Sequence, residues 1–201
     1  MVVIGLTGSI GMGKTTAARM LQRMGVPVHD SDRAVRALLE GDGEVISAVA
    51  ASFPEAVRDG IVDRAALGRK VFADAHALGR LEAILHPRVR ARSDAFLSRA
   101  ALAGARVAVL DVPLLLETGG DRRCDLVAVV SAPLFVQRQR VLSRPGMTAE
   151  LLDAILDRQM PDREKRRRAD IVIPTGLGRA VTWRALRRMV DSARKTDERG
   201  R

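Results

Sequence analysis

Five short apolar-rich runs stand apart along the chain, at 2–6, 26–29, 107–111, 126–130 and 170–173. Each is closed by glycine, proline or charged residues and is too short for a helix, which is the pattern of buried strands in a parallel sheet. Between them the spacing turns helical. The residues 15–24 form one such stretch, closed by Gly25-Val26-Pro27, and Asp30-Ser31-Asp32 offers capping chemistry for a second through about residue 39. From 41 to about 104 no strand pattern is visible, only helical stretches at 44–53, 63–73, 75–85 and 87–102, the last opened by Pro87 in its first turn. A helical insertion between strands is the simplest account. The segment 133–168 is helical and strongly basic, with breaks expected at Pro145-Gly146 and at Pro161. A last helix over 177–193 precedes a charged tail to Arg201 that is expected to fray. Strands alternating with helices read as α/β, with neither internal repeats nor low-complexity segments.

Composition sharpens this. The 201 residues are 47% hydrophobic, enough for a core, yet aromatics are 2% and tyrosine is absent, so Ala, Val, Leu and Ile must fill it. A formal net charge of +10 points to anionic partners: nucleic acid, or a multiply phosphorylated small molecule. The arginines lack interleaved aromatics, so the stacking platforms of single-strand binders are missing. The one cysteine, Cys124, excludes an intrachain disulfide, and with three histidines it makes no metal cluster, so a reducing, cytoplasmic location is expected. The apolar N-terminus lacks a basic leader and is interrupted by Gly5 and Gly8, unlike a signal peptide, and no apolar run approaches the roughly 18–20 residues that span a bilayer.

Gly8-Ser9-Ile10-Gly11-Met12-Gly13-Lys14-Thr15 matches G-x-x-x-x-G-K-[ST] between a predicted strand and a predicted helix. Glycines let the backbone curl so that N–H groups point at phosphates, and the helix adds the positive end of its dipole. The residues expected to bind ATP are therefore Gly8, Gly11, Met12, Gly13, Lys14, Thr15 and Thr16. Lys14 is expected to reach the β- and γ-phosphates and Thr15 to hold Mg²⁺. The motif leaves the fate of the γ-phosphate open, since switches, motors, ATPases and small-molecule kinases share it.

For the acceptor, Asp30 and Asp32 follow the second strand and so belong at the carboxyl edge of the sheet, where ligands collect. Asp32 is a candidate base for an attacking hydroxyl and Asp30 the better helix cap, although spacing alone fits equally well the reading that both merely cap the helix. Arg140 and Arg144 fall at i and i+4 on a predicted helix, either a clamp on ATP phosphates or a solvated basic face. The run 163–168 reads as solvated helix surface. Asp111 ends an apolar strand, where a carboxylate holds Mg²⁺ through water or else caps a helix or pairs with an arginine. His86-Pro87 and Arg90 lie in the helical insertion, and a lone histidine before proline is more often structural than catalytic. His29 and His76 carry no argument, and Trp183 reads as packing.

Together these segments resemble the dephospho-coenzyme A kinase family over nearly the whole chain. The resemblance rests on 3–8 through Lys14-Thr15; on Val28-His29-Asp30-Ser31-Asp32; on Leu85-His86-Pro87 with Arg90; and on Asp111-Val112-Pro113-Leu114-Leu115-Leu116-Glu117. It continues with Gln137, Arg140 and Arg144, and with Gln159-Met160-Pro161, Lys165 and Ala169-Asp170-Ile171-Val172-Ile173. It implies a P-loop NTPase fold with a parallel five-stranded sheet flanked by helices, a helical substrate-binding insertion and a helical lid. The nucleotide-binding core would cover 1–32, 105–136 and 169–201, the acceptor domain 33–104 and the lid 137–168.

The same resemblance implies ATP and dephospho-coenzyme A as partners, without membrane or nucleic acid, and Mg²⁺ as cofactor. Asp32 becomes the base for the ribose 3′-hydroxyl, Lys14 and Arg140 join it as catalytic residues, Arg144 is a second lid arginine, and His86, Pro87 and Arg90 serve the acceptor side. Ser9 and Met12 replace the commoner Gly and Ser, at positions expected to contribute backbone. Ile155 stands where many members have Arg, and Pro174-Thr175-Gly176 replaces a segment that usually carries Asn before the Gly. The alternatives are another small-molecule kinase, for instance one acting on nucleoside monophosphates, and a nucleic-acid-binding ATPase.

Overall fold

The computed structural model describes residues 1–199, without the side chains of Ala73 and Arg199; Gly200 and Arg201, at the end of the tail expected to fray, lie outside the described residues. Two compact units divide the chain, one built from Met1–His29 with Arg99 onward and the other from Asp30–Ser98.

The first unit is organised by a five-stranded sheet. Its strands are β1 (Val2–Thr7), β2 (Val28–Asp30), and, past two short strands of the second unit, β5 (Val107–Asp111), β6 (Leu126–Ser131) and β7 (Ile171–Pro174), in the order β2-β5-β1-β6-β7. All five expected strands are present. The ladders of β1 with β5 and β6, and of β6 with β7, are parallel. Helices α1 (Lys14–Arg23) and α9 (Arg179–Arg199) supply Ala17, Leu21, Leu186, Met189 and Val190 to a core with Ile4, Leu6, Val109, Ala128 and Val130. The alternate β6 residues Val127 and Val129 face the other way, onto Leu115 and Leu116. Both faces are covered, so the strands are apolar without interruption.

The basic segment folds as α6 (Leu134–Leu142), α7 (Ala149–Leu156) and α8 (Asp162–Arg168), broken where proline and glycine predict. One expectation fails inside it. Lys165 belongs not to a solvated surface but to the interior, fully buried, with Nζ 2.7 Å from Glu117 Oε1 and 3.4 Å from the Pro113 carbonyl oxygen. Glu117 Oε1 also accepts from the Met160 amide at 3.0 Å, so one ion pair ties α8 to the segment that follows Asp111. The end of α9 is likewise firmer than its composition suggests. The N-terminal ammonium of Met1 lies 2.7 Å from the buried Asp197, and Arg106 donates to the Arg194 carbonyl at 2.9 Å, so the helix persists to Arg199.

The second unit contains α2 (Ser31–Gly41), α3 (Gly43–Ser52), the short strands β3 (Val57–Arg58) and β4 (Ile61–Val62), α4 (Arg64–Ala73) and the part of α5 (Ala75–Leu102) up to Ser98. Leu38, Val49, Phe53, Leu67, Leu81 and Leu85 form its own core. Aspartates start its helices: Asp30 accepts from the Arg33 amide at 2.9 Å, Asp42 from Val45 at 3.2 Å, and Asp63 from Ala65 and Ala66 at 2.9 and 3.0 Å. The amide bonds hold the Asp63 carboxyl below its ordinary range.

Two expectations are corrected here. The interval 41–104 does contain strands, because Asp59 and Gly60 both take positive φ (51° and 74°), the two-residue turn that closes a tight hairpin. And 75–85 and 87–102 are one helix with Pro87 inside it. A proline there removes one backbone bond, about 3 kcal/mol, while Leu81 and Leu85 on the preceding turns are packed into the core and hold the helix straight through.

Replacing Lys165 with methionine should lower stability by about 3 kcal/mol, because the Glu117 carboxylate would lose its buried counter-charge; urea denaturation measures this. Burial pushes the Cys124 thiol up to about 11. Its alkylation by iodoacetamide should therefore be slow at pH 8 and accelerate only as the pH climbs toward that value, since the thiolate is the reacting form.

Candidate functional site

The register of the sheet brings the chemistry together. Leu6 pairs with Asp111 across β1 and β5, and Thr7 with Val129 across β1 and β6, so at the carboxyl edge β1 and β5 end within one residue of each other and β6 runs two residues further, to Ser131. The loop Gly8–Thr15 leaves β1 at this edge and enters α1 at Lys14, with Gly13 as the left-handed residue before the helix (φ 90°). Lys14 Nζ lies 2.8 Å from Asp111 Oδ1, and both side chains are largely buried. The carboxylate is thus the ion-pair partner of the loop lysine, a pairing that spacing alone did not suggest.

The curl of the loop is held from outside. Successive carbonyl oxygens each have a donor: Ser9 accepts from the Met12 amide at 3.1 Å and Ile10 from Gln137 Nε2 at 2.7 Å. Gly11 accepts from Arg140 Nη1 at 3.4 Å, Met12 from the Thr175 hydroxyl at 2.6 Å, and Gly13 from the Ala17 amide at 3.1 Å. The Ile10 amide in turn donates to Gln159 Oε1 at 3.0 Å. With three carbonyls held by side chains of later segments and two by amides of the loop and α1, the remaining amides of the loop are left for a polyphosphate. Two glycines are dictated by close approach. A Cβ on Gly8 would collide with Val130, and one on Gly11 (φ 75°) would stand 2.5 Å from Val141 Cγ2 and 3.0 Å from the Gln137 carbonyl oxygen.

The sequence-predicted residues divide as follows. Gly8, Gly11, Met12, Gly13, Lys14, Thr15 and Thr16 lie together, with the hydroxyls of Thr15 and Thr16 on the exposed first turn of α1. Met12 contributes more than backbone: its side chain is buried and Sδ accepts from the Ala132 amide at 3.2 Å. Arg140 reaches the loop at the Gly11 carbonyl oxygen, 3.4 Å from Nη1, and is anchored by Nη2, 2.6 Å from the Thr175 carbonyl oxygen. Arg144 does not share its helical face, because α6 ends at Leu142 and Arg144 falls in the following turn, exposed. Gln137, Gln159 and Thr175 were not assigned roles from sequence. The signals for the glutamines are their place in the family resemblance and in a basic segment, and neither says what they would bind.

Asp32, His86, Pro87 and Arg90 belong to the second unit. Asp30 caps α2 there, and Asp32 sits in its first turn. Asp32 and Arg36, one turn apart, line a cavity of about 260 Å³ with Arg64 and the apolar walls of Leu39, Leu67 and Leu81. Arg64 also pairs with Glu40 at 2.6 Å. A cavity lined by a carboxylate, two arginines and apolar side chains suits an acceptor with both anionic and hydrocarbon parts. His86, Pro87 and Arg90 are exposed on α5, His86 and Arg90 on one face.

A Thr15 hydroxyl and the Asp111 carboxylate are hard oxygen donors, which fit Mg²⁺, a cation that takes one or two protein oxygens and completes its shell from phosphate and water. Among the described residues no group of three or more His, Cys, Asp or Glu side chains could hold a metal alone. None of the described helices is long and apolar enough to cross a membrane.

The family model described as Dephospho-CoA kinase matches residues 2–177. A curated Dephospho-CoA kinase of Mesorhizobium japonicum is 57% identical over 194 residues, covering 96% of this chain and 98% of its own length. The crystal structure of TT1252 from Thermus thermophilus superposes with a TM-score of 0.85 at 38% identity, over 95% of this chain and 96% of that one. A dephospho-CoA kinase from Campylobacter jejuni shares the fold, with a TM-score of 0.68 at 23% identity over 97% and 98% of the two chains.

Gly11→Ala should weaken ADP binding at least tenfold by calorimetry, because the left-handed backbone and the contact with Val141 cannot both be kept with a Cβ present.

Proposed function

This chain belongs to the dephospho-CoA kinase family, and from that membership we infer that it transfers the γ-phosphoryl group of ATP to the 3′-hydroxyl of the ribose of dephospho-CoA, yielding CoA and ADP. The observation that carries the inference is the family match across residues 2–177 on a chain whose phosphate loop is intact from Gly8 to Thr15. Neither a nucleoside monophosphate kinase nor a nucleic-acid-binding ATPase is favoured by that membership.

The mechanism we propose is in-line transfer. The amides of the loop and Lys14 hold the β- and γ-phosphates, and Arg140, already beside the loop, neutralises charge that develops on the transferred group. Lys14 would exchange part of its contact with Asp111 for the phosphates. Asp32 would align the acceptor hydroxyl and take its proton, with Arg36 and Arg64 drawing the acceptor's phosphates and the apolar wall of that cavity its hydrocarbon arm. Thr15 and, through water, Asp111 would hold Mg²⁺, which would supply neutralisation of phosphate charge. Residues 33–104 serve in this reading as the acceptor domain, with His86, Pro87 and Arg90 on it, and 137–168 as a lid carrying Arg144 that keeps water from the γ-phosphate. A cytoplasmic location is part of the same reading, supported by a lone cysteine that can form no intrachain disulfide.

Incubation with ATP, Mg²⁺ and dephospho-CoA should yield an acceptor heavier by one phosphate in the mass spectrum; ATP hydrolysis with an unchanged acceptor would refute the assignment. Asp32→Asn should retain ATP affinity while kcat falls roughly 10²-fold or more. Near-normal turnover in that variant removes Asp32 from the role.

A further inference from the structure

Thr175 stands at the first position beyond β7, and its surroundings are those of a residue held still. Its amide donates to the Ser131 carbonyl at 2.8 Å, extending the ladder of β6 and β7 by one bond. The preceding Pro174 carbonyl accepts from the Thr182 hydroxyl at 2.8 Å, and a Cβ on the following Gly176 would collide with Pro133. Thr175 itself is buried. A β-branched side chain on a pinned backbone has little rotameric freedom, so the direction of its hydroxyl is set by the sheet.

That hydroxyl points at the phosphate loop. It lies 2.6 Å from the Met12 carbonyl oxygen, 3.2 Å from the Ser131 carbonyl oxygen, and 3.4 Å from Arg140 Nη1. A hydroxyl has one proton and two lone pairs. The short contact to Met12 takes the proton and the guanidinium donates to a lone pair. The Thr175 carbonyl oxygen holds the other arm of Arg140 at 2.6 Å. The Thr175 Cβ also stands 3.2 Å from where a Cβ on Gly13 would lie, so the loop rests against this residue along its last turn before Lys14.

We propose that Thr175 is a positioning residue for phosphoryl transfer: its hydroxyl fixes the peptide between Met12 and Gly13, and with it the stance of Arg140, relative to the rigid sheet. The peptide whose carbonyl Thr175 holds outward is the one whose N–H, on Gly13, turns to the opposite side. Without the hydroxyl that peptide is free to rotate, and the amide facing the phosphates is lost with the bond behind it. Arg140 keeps the Thr175 carbonyl in either case, so the effect falls first on nucleotide affinity and only second on turnover.

The inference rests on the nucleotide-binding half of the function above and is tested without the acceptor. Thr175→Val keeps the shape and removes the hydroxyl, and Thr175→Ser keeps the hydroxyl with one methyl fewer. By calorimetry on the folded full-length chain, T175V should bind ADP about tenfold more weakly than wild type, the size of one lost hydrogen bond that leaves a carbonyl unsatisfied. T175S should stay within about twofold, a difference of about 0.4 kcal/mol. In steady-state assays KM for ATP should rise with the ADP Kd in T175V while KM for the acceptor is unchanged, a split that simple destabilisation does not produce. Wild-type ADP affinity in T175V, or a loss in T175S equal to that in T175V, overturns the proposal. If T175V does not fold, Thr175→Ala takes its place against T175S under the same criteria. A wrong acceptor assignment would leave the ADP results untouched, so the two failures are distinguishable.

Discussion

A loop that binds phosphate through its amides can do so only if its carbonyls have somewhere else to go. In this protein the five carbonyls from Ser9 to Gly13 each meet a donor, two from the loop and its helix and three from the side chains of Gln137, Arg140 and Thr175. Those three come from α6 and from the end of β7, far away in sequence. The loop is therefore not a free-standing motif; its curvature is imposed by the packing of two later segments against it. Unpaired, each buried carbonyl would cost on the order of 1–3 kcal/mol, enough to favour some other loop conformation.

The sheet supports this arrangement by register. Because β1 and β5 run parallel with Leu6 opposite Asp111, the loop lysine and the strand-end carboxylate meet at 2.8 Å. A one-residue slip would turn Asp111 to the other face, into the apolar layer beneath. Behind the site, the buried Lys165–Glu117 pair holds α8 against the segment after Asp111, and the Ser131 hydroxyl donates to Asp162 at 2.8 Å at the start of the same helix. Such polar bonds in an interior are strong when complete and costly when broken, which makes them suited to fixing one geometry.

The second unit contains chemistry of a different kind. Its helices are started by aspartate caps, its core is separate, and its cavity sets Asp32 and two arginines over an apolar wall. In the function proposed above, rigid backbone would grip the part of a substrate that is the same in every nucleotide, and side chains on the small helical unit would recognise what is particular to the acceptor. The division into two units, each with its own core, allows that specialisation.

The strands, the α/β class, the phosphate loop and the helix starts were legible in the sequence because each is local. A continuous apolar run, a glycine pattern before a helix, and an aspartate before a helical stretch act within a few residues. Local signals also run against the fold: Asp59-Gly60 closes a hairpin inside an interval whose spacing is helical on either side, and Pro87 predicts a break that packing of Leu81 and Leu85 overrides. By itself the sequence determined that a glycine-rich phosphate-loop pattern, Gly8 to Thr15, would join β1 to α1. Only the tertiary structure decided that Asp111 would pair with Lys14, that Lys165 would be buried, that Arg144 would leave the face of Arg140, and that Gln137 and Thr175 would hold the loop. Each of those depends on a contact between residues roughly fifty or more apart, or on where a helix happens to end, and a free energy of that kind exists only once the sheet has set its register.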